Sequence, residues 1–456
     1  MAEKQYDIIV IGGGPGGYTC AVRAAKRGKH VLLVEKDSLG GTCLNRGCIP
    51  TKTLLHGAAV YRTVCGAAKF GVTAENVRLD YAKLRARTDR VVAKFVGGVG
   101  ALLRGAGVEV LRGTASLDGP GGVVVDGARF RAGAIVLATG RAAARPELPG
   151  AELSGVYAAE EILTRETLPG SLILAGGGIA AAEFAELFSS LGCRVRVLLA
   201  GRQLLPEFDA DVSAELERAL QKRGVKILKE TELLQIEEGL RCTCRQGEET
   251  VSLETEAVLF PDARRAALRD LGLERTGVQT LRGMVPVDAR MRTNVPGIYA
   301  VGDMTGGPCT AQAAAAQGKR VADEIAGFPA SGVLTMPFCV YTSPEAVSVG
   351  MTAEQAARSG RNVRTGTFRA AANGRSASLG ETAGFVRLLS DAETGELLGA
   401  QAVAERATEL AGELTAAMCA EATVEELAQA VHPHPSICEM LQEAADDSFG
   451  LSCNQL

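Results

Sequence analysis

Residues 6–35 read YDIIVIGGGPGGYTCAVRAAKRGKHVLLVE. The β-branched run Tyr6–Ile11 reads as a buried strand, and it breaks into Gly12-Gly13-Gly14-Pro15-Gly16-Gly17. A helical stretch then runs to about Lys26, Gly28 stops it, and His30–Val34 forms a second strand that ends at Glu35. The unit is strand, helix, strand, with Gly12, Gly14 and Gly17 in Gly-x-Gly-x-x-Gly spacing and an acid closing the second strand. Glycines so placed permit a tight turn, the approach of a pyrophosphate and close helix–strand contact, while the acid meets a ribose hydroxyl. The stretch predicts an α/β domain that binds a dinucleotide.

The same unit returns 164 residues later. Ser171–Ala175 is a strand, Gly176-Gly177-Gly178 repeats the glycines, Gly192 matches Gly28, and Arg194–Leu199 matches the second strand. Two positions differ: Ala181 stands at the third glycine, and Leu199 stands where Glu35 stood. A repeat of this kind predicts two dinucleotide-binding domains in one chain. Ala134–Gly140 (AIVLATG) and Thr293–Asp303 (TNVPGIYAVGD) read as further strands ending in small-residue turns. From about Met336, strand-like runs alternate with Ala- and Glu-rich helices, which reads as an α+β domain. The last few residues read as loose.

Composition agrees with a soluble enzyme-sized chain. The 456 residues carry 49 Lys+Arg and 53 Asp+Glu, a net charge of −4 that gives no reason to expect nucleic acid or an acidic membrane surface. No apolar run approaches the ~20 residues that span a bilayer, and the start reads as a strand and turn, not a signal peptide. Twelve scattered Cys are not a secreted disulfide scaffold, so a reducing, cytoplasmic setting is expected. Glycine, 55 residues in all, is in excess without a collagen period, as expected where backbone approaches ligands.

The segment Gly40–Lys52, GGTCLNRGCIPTK, sets Cys43 and Cys48 five residues apart. Five helical steps rise ~7.5 Å, beyond the usual Cα separation of a disulfide. A bridge therefore needs a distorted turn, for which Gly47 is available. A strained, accessible pair in a reducing compartment is redox-active and not structural. Two free buried thiols are the competing reading. Zinc is a third, weakened because ligand pairs favour tighter spacing and the other close pair is Cys242/Cys244; no metal is expected. The remaining Cys, Cys453 included, read as small core or surface residues.

These motifs together resemble the flavoprotein disulfide reductases, the class I pyridine nucleotide-disulfide oxidoreductases, over about Tyr6 to Asp447, with the dihydrolipoamide dehydrogenase branch most similar. The resemblance implies two Rossmann-like domains, for FAD and NAD, and an α+β C-terminal dimerisation domain. It divides the chain into an FAD domain over 1–145 and 266–335, a nicotinamide domain over 146–265 and an interface domain over 336–456. It implies that Cys43 exchanges with substrate and Cys48 contacts the flavin. Lys52 then sits near the reactive flavin edge, paired with Glu183, and Asp303 holds the ribitol. Thr42, Gly113, Thr139, Gly140 and Ala311 line the FAD beside Gly12, Gly14, Gly17 and Glu35. Gly176, Gly178, Ala181, Leu199 and Arg264 belong to the nicotinamide site. In His432–Glu439 (HPHPSICE), His434 matches the base that serves the partner subunit, and Glu439 the carboxylate that orients it. Imidazole takes a thiol proton near neutral pH, and the acid fixes its tautomer. Ser436-x-x-Glu439 is also a capping-box pattern. His432, His30 and His56 read as packing or surface residues. The implied function is oxidation of a protein-bound dihydrolipoyl dithiol by NAD+. The implied partner is a lipoyl domain or carrier protein of a 2-oxoacid dehydrogenase or glycine-cleavage system. Running the relay backwards gives the alternative, an NAD(P)H-dependent disulfide or mercuric reductase; a flavin-carrying dimer with impaired turnover is another.

The nicotinamide domain departs from the family pattern. Leu199 cannot accept a ribose hydrogen bond, Ala181 is more usual in NADP-dependent relatives, and the Ala-x-Gly-Arg turn is here Pro261-Asp262-Ala263-Arg264. Arg202 is the nearby basic residue, off the position NADP-dependent relatives use, so NADP is not excluded.

Overall fold

A computed structural model describes residues 4–329 and 335–455. The chain forms two compact units, one of Met1–Thr53, Ala82–Ala144 and Ala263–Leu334, the other of Leu54–Tyr81, Arg145–Asp262 and Thr335–Leu456.

In the first unit, strand β1 (Lys4–Ile11) leads through helix α1 (Pro15–Lys26) to strand β2 (Val31–Glu35). Helix α2 (Gly41–Asn45) follows, then helix α3 (Cys48–Cys65), of which Cys48–Thr53 belongs to this unit. Strand β3 (Ala128–Leu137) pairs parallel with β1, and Ile298–Ala300 pairs parallel with β3. Glu109–Arg112 extends the sheet beyond β2, again parallel. The apolar run of β1 is continuous because both faces of its sheet are covered. Ile8 and Val10 point to a core with Cys20, Ala21 and Ala24 of α1. Ile9 and Ile11 point to another with Leu117, Val123 and Val285. A period-2 strand covered on both sides has no polar face to offer.

The second unit holds the repeat. Strand β4 (Ser171–Ala175), helix α4 (Ile179–Ser190) and strand β5 (Arg194–Leu198) reproduce the first motif. Strand β6 (Ala257–Phe260) pairs parallel with β4, and Lys226–Leu228 and Val156–Ala158 complete a five-stranded parallel sheet. Thr231–Glu237, Arg241–Gln246 and Glu249–Glu254 form a separate antiparallel sheet that the sequence reading missed. The C-terminal part is α+β as expected: a five-stranded antiparallel sheet whose strand Leu397–Ala404 is buried throughout. The helices Ala407–Cys419 and α5 (Glu439–Asp447) supply Leu410, Leu414, Met440 and Leu441 to its core.

The expectation of a loose C-terminus is overturned for residues 452–455. Gln455 accepts the Arg369 N–H at 2.9 Å and donates to the Thr367 carbonyl at 2.8 Å, and Ser452 donates to Glu443 at 2.7 Å. A side-chain amide bonded to a sheet edge and a hydroxyl bonded to helix α5 order a tail that composition alone leaves free. Among the described residues, no helix is long and apolar enough to cross a membrane.

Candidate functional site

The first glycine turn is built for close approach. Gly12 has φ +108°, and a Cβ there would lie 2.4 Å from the Ala138 carbonyl oxygen; a Cβ at Gly17 would lie 1.9 Å from that of Gly12. These two glycines are required by the protein itself. Gly14 is different: a Cβ there would meet nothing nearer than Gly41 Cα at 3.8 Å, with an ordinary φ of −71°. Its bare face is a cradle that a Cβ would fill, at the residue preceding a twelve-residue helix. N–H groups and dipole there suit a pyrophosphate. Glu35 lies over the turn, one oxygen accepting the Gly13 N–H at 2.6 Å and the other the Asp37 N–H at 2.8 Å. Gly113 N–H donates to the Glu35 carbonyl at 3.0 Å, which brings the end of the neighbouring strand to the same place. The residues fit a dinucleotide such as FAD.

The cysteine segment is fastened to this turn. Gly40 N–H donates to the Gly13 carbonyl at 2.8 Å, and Gly41, at φ +57°, packs against Gly14. Asn45 donates to the Leu39 and Gly41 carbonyls at 3.0 and 2.9 Å, fixing the short helix α2. The sequence reading did not single out Asn45; an amide side chain inside so short a turn is its signal. Helix α2 ends at Arg46 with φ −141°, and α3 restarts at Cys48. That break is the distorted turn the five-residue spacing requires. Gly47 serves it by proximity and not by a positive φ, since a Cβ there would sit 3.2 Å from the Thr42 carbonyl. Cys43 and Cys48 are half-buried thiols in hydrogen-bonding contact. That contact, then burial, holds the Cys43 thiol well above the usual range, while the Lys52 ammonium draws it back down.

Beside the Gly12 turn the first unit gathers Asp303, Thr139, Gly140 and Arg264: Thr139 N lies 3.1 Å from where a Gly12 Cβ would be, and the Asp303 charge acts on the Cys43 thiol. Asp303 stands in a tight turn fixed by Gly302 N–H donating to the buried Gln317 at 2.7 Å. Burial raises its pKa, opposed by the charges of Arg264 and Arg141. Arg264, read as closing the nicotinamide domain, lies in the first unit, where its strand pairs with Arg141–Ala143. Arg141, missed in the sequence, donates to the Arg264 carbonyl at 2.7 Å. Thr139 donates to the Ala267 carbonyl at 2.9 Å, and Gly140 has φ +66°. Ala311 opens the helix Ala311–Ala326, capped by Thr310.

In the second unit, Leu199 is buried against the second turn, its Cδ2 2.8 Å from where a Gly177 Cβ would be. Ala181 is fully buried, so this turn accepts the methyl that Gly17 cannot carry. Glu183, 4% exposed, accepts the Tyr341 N–H at 3.2 Å. Arg202 is exposed and paired with Glu230 at 3.0 Å. His434 and Glu439 are together: Nδ1 lies 2.8 Å from Oε1, with the imidazole side chain 79% exposed. His432 instead sits between the Ala430 carbonyl at 2.8 Å and Glu413 at 2.9 Å, and His30 stacks on Tyr6 at 4.6 Å.

Residues 6–318 match the pyridine nucleotide-disulphide oxidoreductase family and residues 336–445 its dimerisation domain. The chain belongs to this family of flavin-dependent, dimeric disulfide oxidoreductases. It is 39% identical to a dihydrolipoyl dehydrogenase of Thermus scotoductus and 35% identical to one of Bacillus subtilis, in each case over 97% of both chains. Among solved structures it is similar to the HOCl-induced flavoprotein disulfide reductase RclA of Escherichia coli (TM-score 0.86, 28% identity, 97% of this chain and 99% of that one). LpdA of Mycobacterium tuberculosis gives a TM-score of 0.88 at 28% identity, with 97% and 99% covered. The protein is an FAD-dependent oxidoreductase with dihydrolipoamide dehydrogenase-like function, and FAD and NAD are its cofactors.

Proposed function

We propose that this chain oxidises a protein-bound dihydrolipoyl dithiol, with Cys43 and Cys48 as the exchanging pair. The observation that carries it is the contact of the two thiols in a segment tied to the glycine turn through the Gly40 N–H and Gly13 carbonyl. In this reading His434 of the partner subunit removes a proton from one substrate thiol, and the thiolate attacks Cys43 of the Cys43–Cys48 disulfide. The sulfur–sulfur bond breaks and Cys48 departs as thiolate. The second substrate thiol then attacks the first sulfur, its proton passing to Cys43 as that sulfur is released as a thiol, while the imidazole keeps the first proton beside the Cys48 thiolate. The substrate has lost two electrons and two protons; the cysteine pair has gained the electrons. Glu439 keeps the imidazole in one tautomer and stabilises it when charged. FAD, when bound, supplies the two-electron exchange between the cysteine pair and NAD+.

The remaining assignments extend the same reading. Gly12, Gly14, Gly17, Glu35, Thr42, Lys52, Gly113, Thr139, Gly140, Asp303 and Ala311 hold FAD. Gly176, Gly178, Ala181, Glu183, Leu199 and Arg264 serve the nicotinamide side. The domains divide at 145/146, 265/266 and 335/336, the last beside residues 330–334, which lie outside the described residues. The lipoyl group arrives on a lipoyl domain or carrier protein in the cytoplasm. Anaerobic titration of the FAD-loaded protein with dihydrolipoamide tests the reading. Two titratable thiols should appear per chain and disappear again when NAD+ is added. A thiol count that does not change would refute it.

A further inference from the structure

The second glycine turn is held by a side chain of the same unit. Asp262 Oδ2 accepts the Gly178 N–H at 2.9 Å. The same carboxylate lies 2.6 Å from where a Gly176 Cβ would be and 2.7 Å from where a Gly178 Cβ would be. It therefore sits on the bare face that the glycines open. Gly178 precedes the twelve-residue helix α4, so its N–H and the helix dipole favour an anion at this place. A dinucleotide pyrophosphate needs the same N–H, the same face and the same field.

The first unit shows what the turn looks like without such an occupant. Thr139 stands two residues beyond strand β3, as Asp262 stands two beyond β6, and its hydroxyl turns away to the Ala267 carbonyl. The Gly14 face is bare there. The carboxylate of the first unit comes instead from Glu35, over Gly13, where it is available to a ribose. In the second unit Leu199 takes that place and offers no acceptor. The repeats have thus moved their acid from the ribose subsite to the pyrophosphate subsite.

We propose that Asp262 is a tethered competitor for the pyrophosphate of the pyridine nucleotide, so that nucleotide binds only as the carboxylate leaves the Gly178 N–H. Asp262 is exposed, so the path away from the turn leads into solvent, while Pro261 before it is buried. The inference rests on reading the Gly176–Gly178 turn as the nucleotide site.

Calorimetric binding of NADH and of ADP-ribose to the FAD-loaded protein tests it, in wild type, Asp262→Asn and Asp262→Ala, with melting temperatures to establish folding. Asn keeps an acceptor for the N–H but loses the charge; Ala loses both. Both variants should bind both ligands more tightly, Asp262→Ala by about tenfold, the worth of one charge-assisted hydrogen bond, and Asp262→Asn by less because it keeps an acceptor. Measurable binding that is unchanged or weaker in both folded variants would overturn the competitor while leaving the site. Absence of binding in all three proteins would overturn the reading of the turn, and the competitor with it.

Discussion

Glu439 holds His434 with one carboxylate oxygen and the loop that carries it with the other. Oε1 lies 2.8 Å from His434 Nδ1, and Oε2 accepts the Ser436 N–H at 2.7 Å. The sequence offered a base-orienting acid and a capping box as roles that can coexist. The structure gives the carboxylate both contacts but only half of the box, because the Ser436 hydroxyl meets Cys438 at 3.0 Å and caps no helix N–H. His434→Gln should lower dihydrolipoamide oxidation by roughly a hundredfold or more, the usual worth of a general base, with FAD content unchanged. Glu439→Gln should keep the loop bond and lose part of the activity, with a shifted pH profile in steady-state assays.

A second expectation follows from the dimer. Cys43→Ser and His434→Gln homodimers should each be strongly impaired. Mixed under conditions of proven subunit exchange, they should regain activity, because one site of the hybrid then combines an intact cysteine pair with His434 of the partner subunit. Absence of recovery would mean that each subunit uses its own histidine.

The glycines of the first turn should separate by mechanism. Gly17→Ala forces a methyl to 1.9 Å from the Gly12 carbonyl oxygen and should destabilise the fold outright. Gly14→Ala clashes with nothing in the protein. Its FAD-free melting should stay within about 0.5 kcal/mol of wild type, while FAD affinity falls by about tenfold or more as the methyl blocks the pyrophosphate. Undiminished FAD binding by Gly14→Ala would place the pyrophosphate elsewhere.

Much of this was legible before the structure. The run of β1 gave its position to within two residues, since burial on both faces leaves an apolar signature that a loop does not imitate. The two glycine units and the cysteine segment were equally plain. The antiparallel strands from Thr231 to Glu254 were not, because their exposed faces carry charge and blur the alternation. Nor was the place of Asp262. Its departure from the family turn was visible, but the direction of a side chain is fixed by packing, here by Pro261 against Gly176.

Alkaline stability should report the buried thiols. Burial alone pushes the thiol of Cys20 up to about 12. The folded state therefore keeps a proton that the unfolded state releases near the ordinary thiol value of 9.0, so stability is full below that pH and is lost as pH rises toward 12. The slope belonging to Cys20 is about 1.4 kcal/mol per pH unit. Denaturant unfolding from pH 8 to 11 should fall less steeply in Cys20→Ala by about that amount. Equal slopes would show that Cys20 ionises in the folded protein.

The central claim is that Cys43 and Cys48 are the redox pair, and one assay meets it directly: dihydrolipoamide-dependent reduction of NAD+ by wild type, Cys43→Ser and Cys48→Ser, each loaded with FAD. Wild type should turn over, and each variant should lose activity by roughly a thousandfold or more, since neither sulfur can be replaced in a thiol–disulfide exchange. Near-normal turnover in either variant would contradict the account.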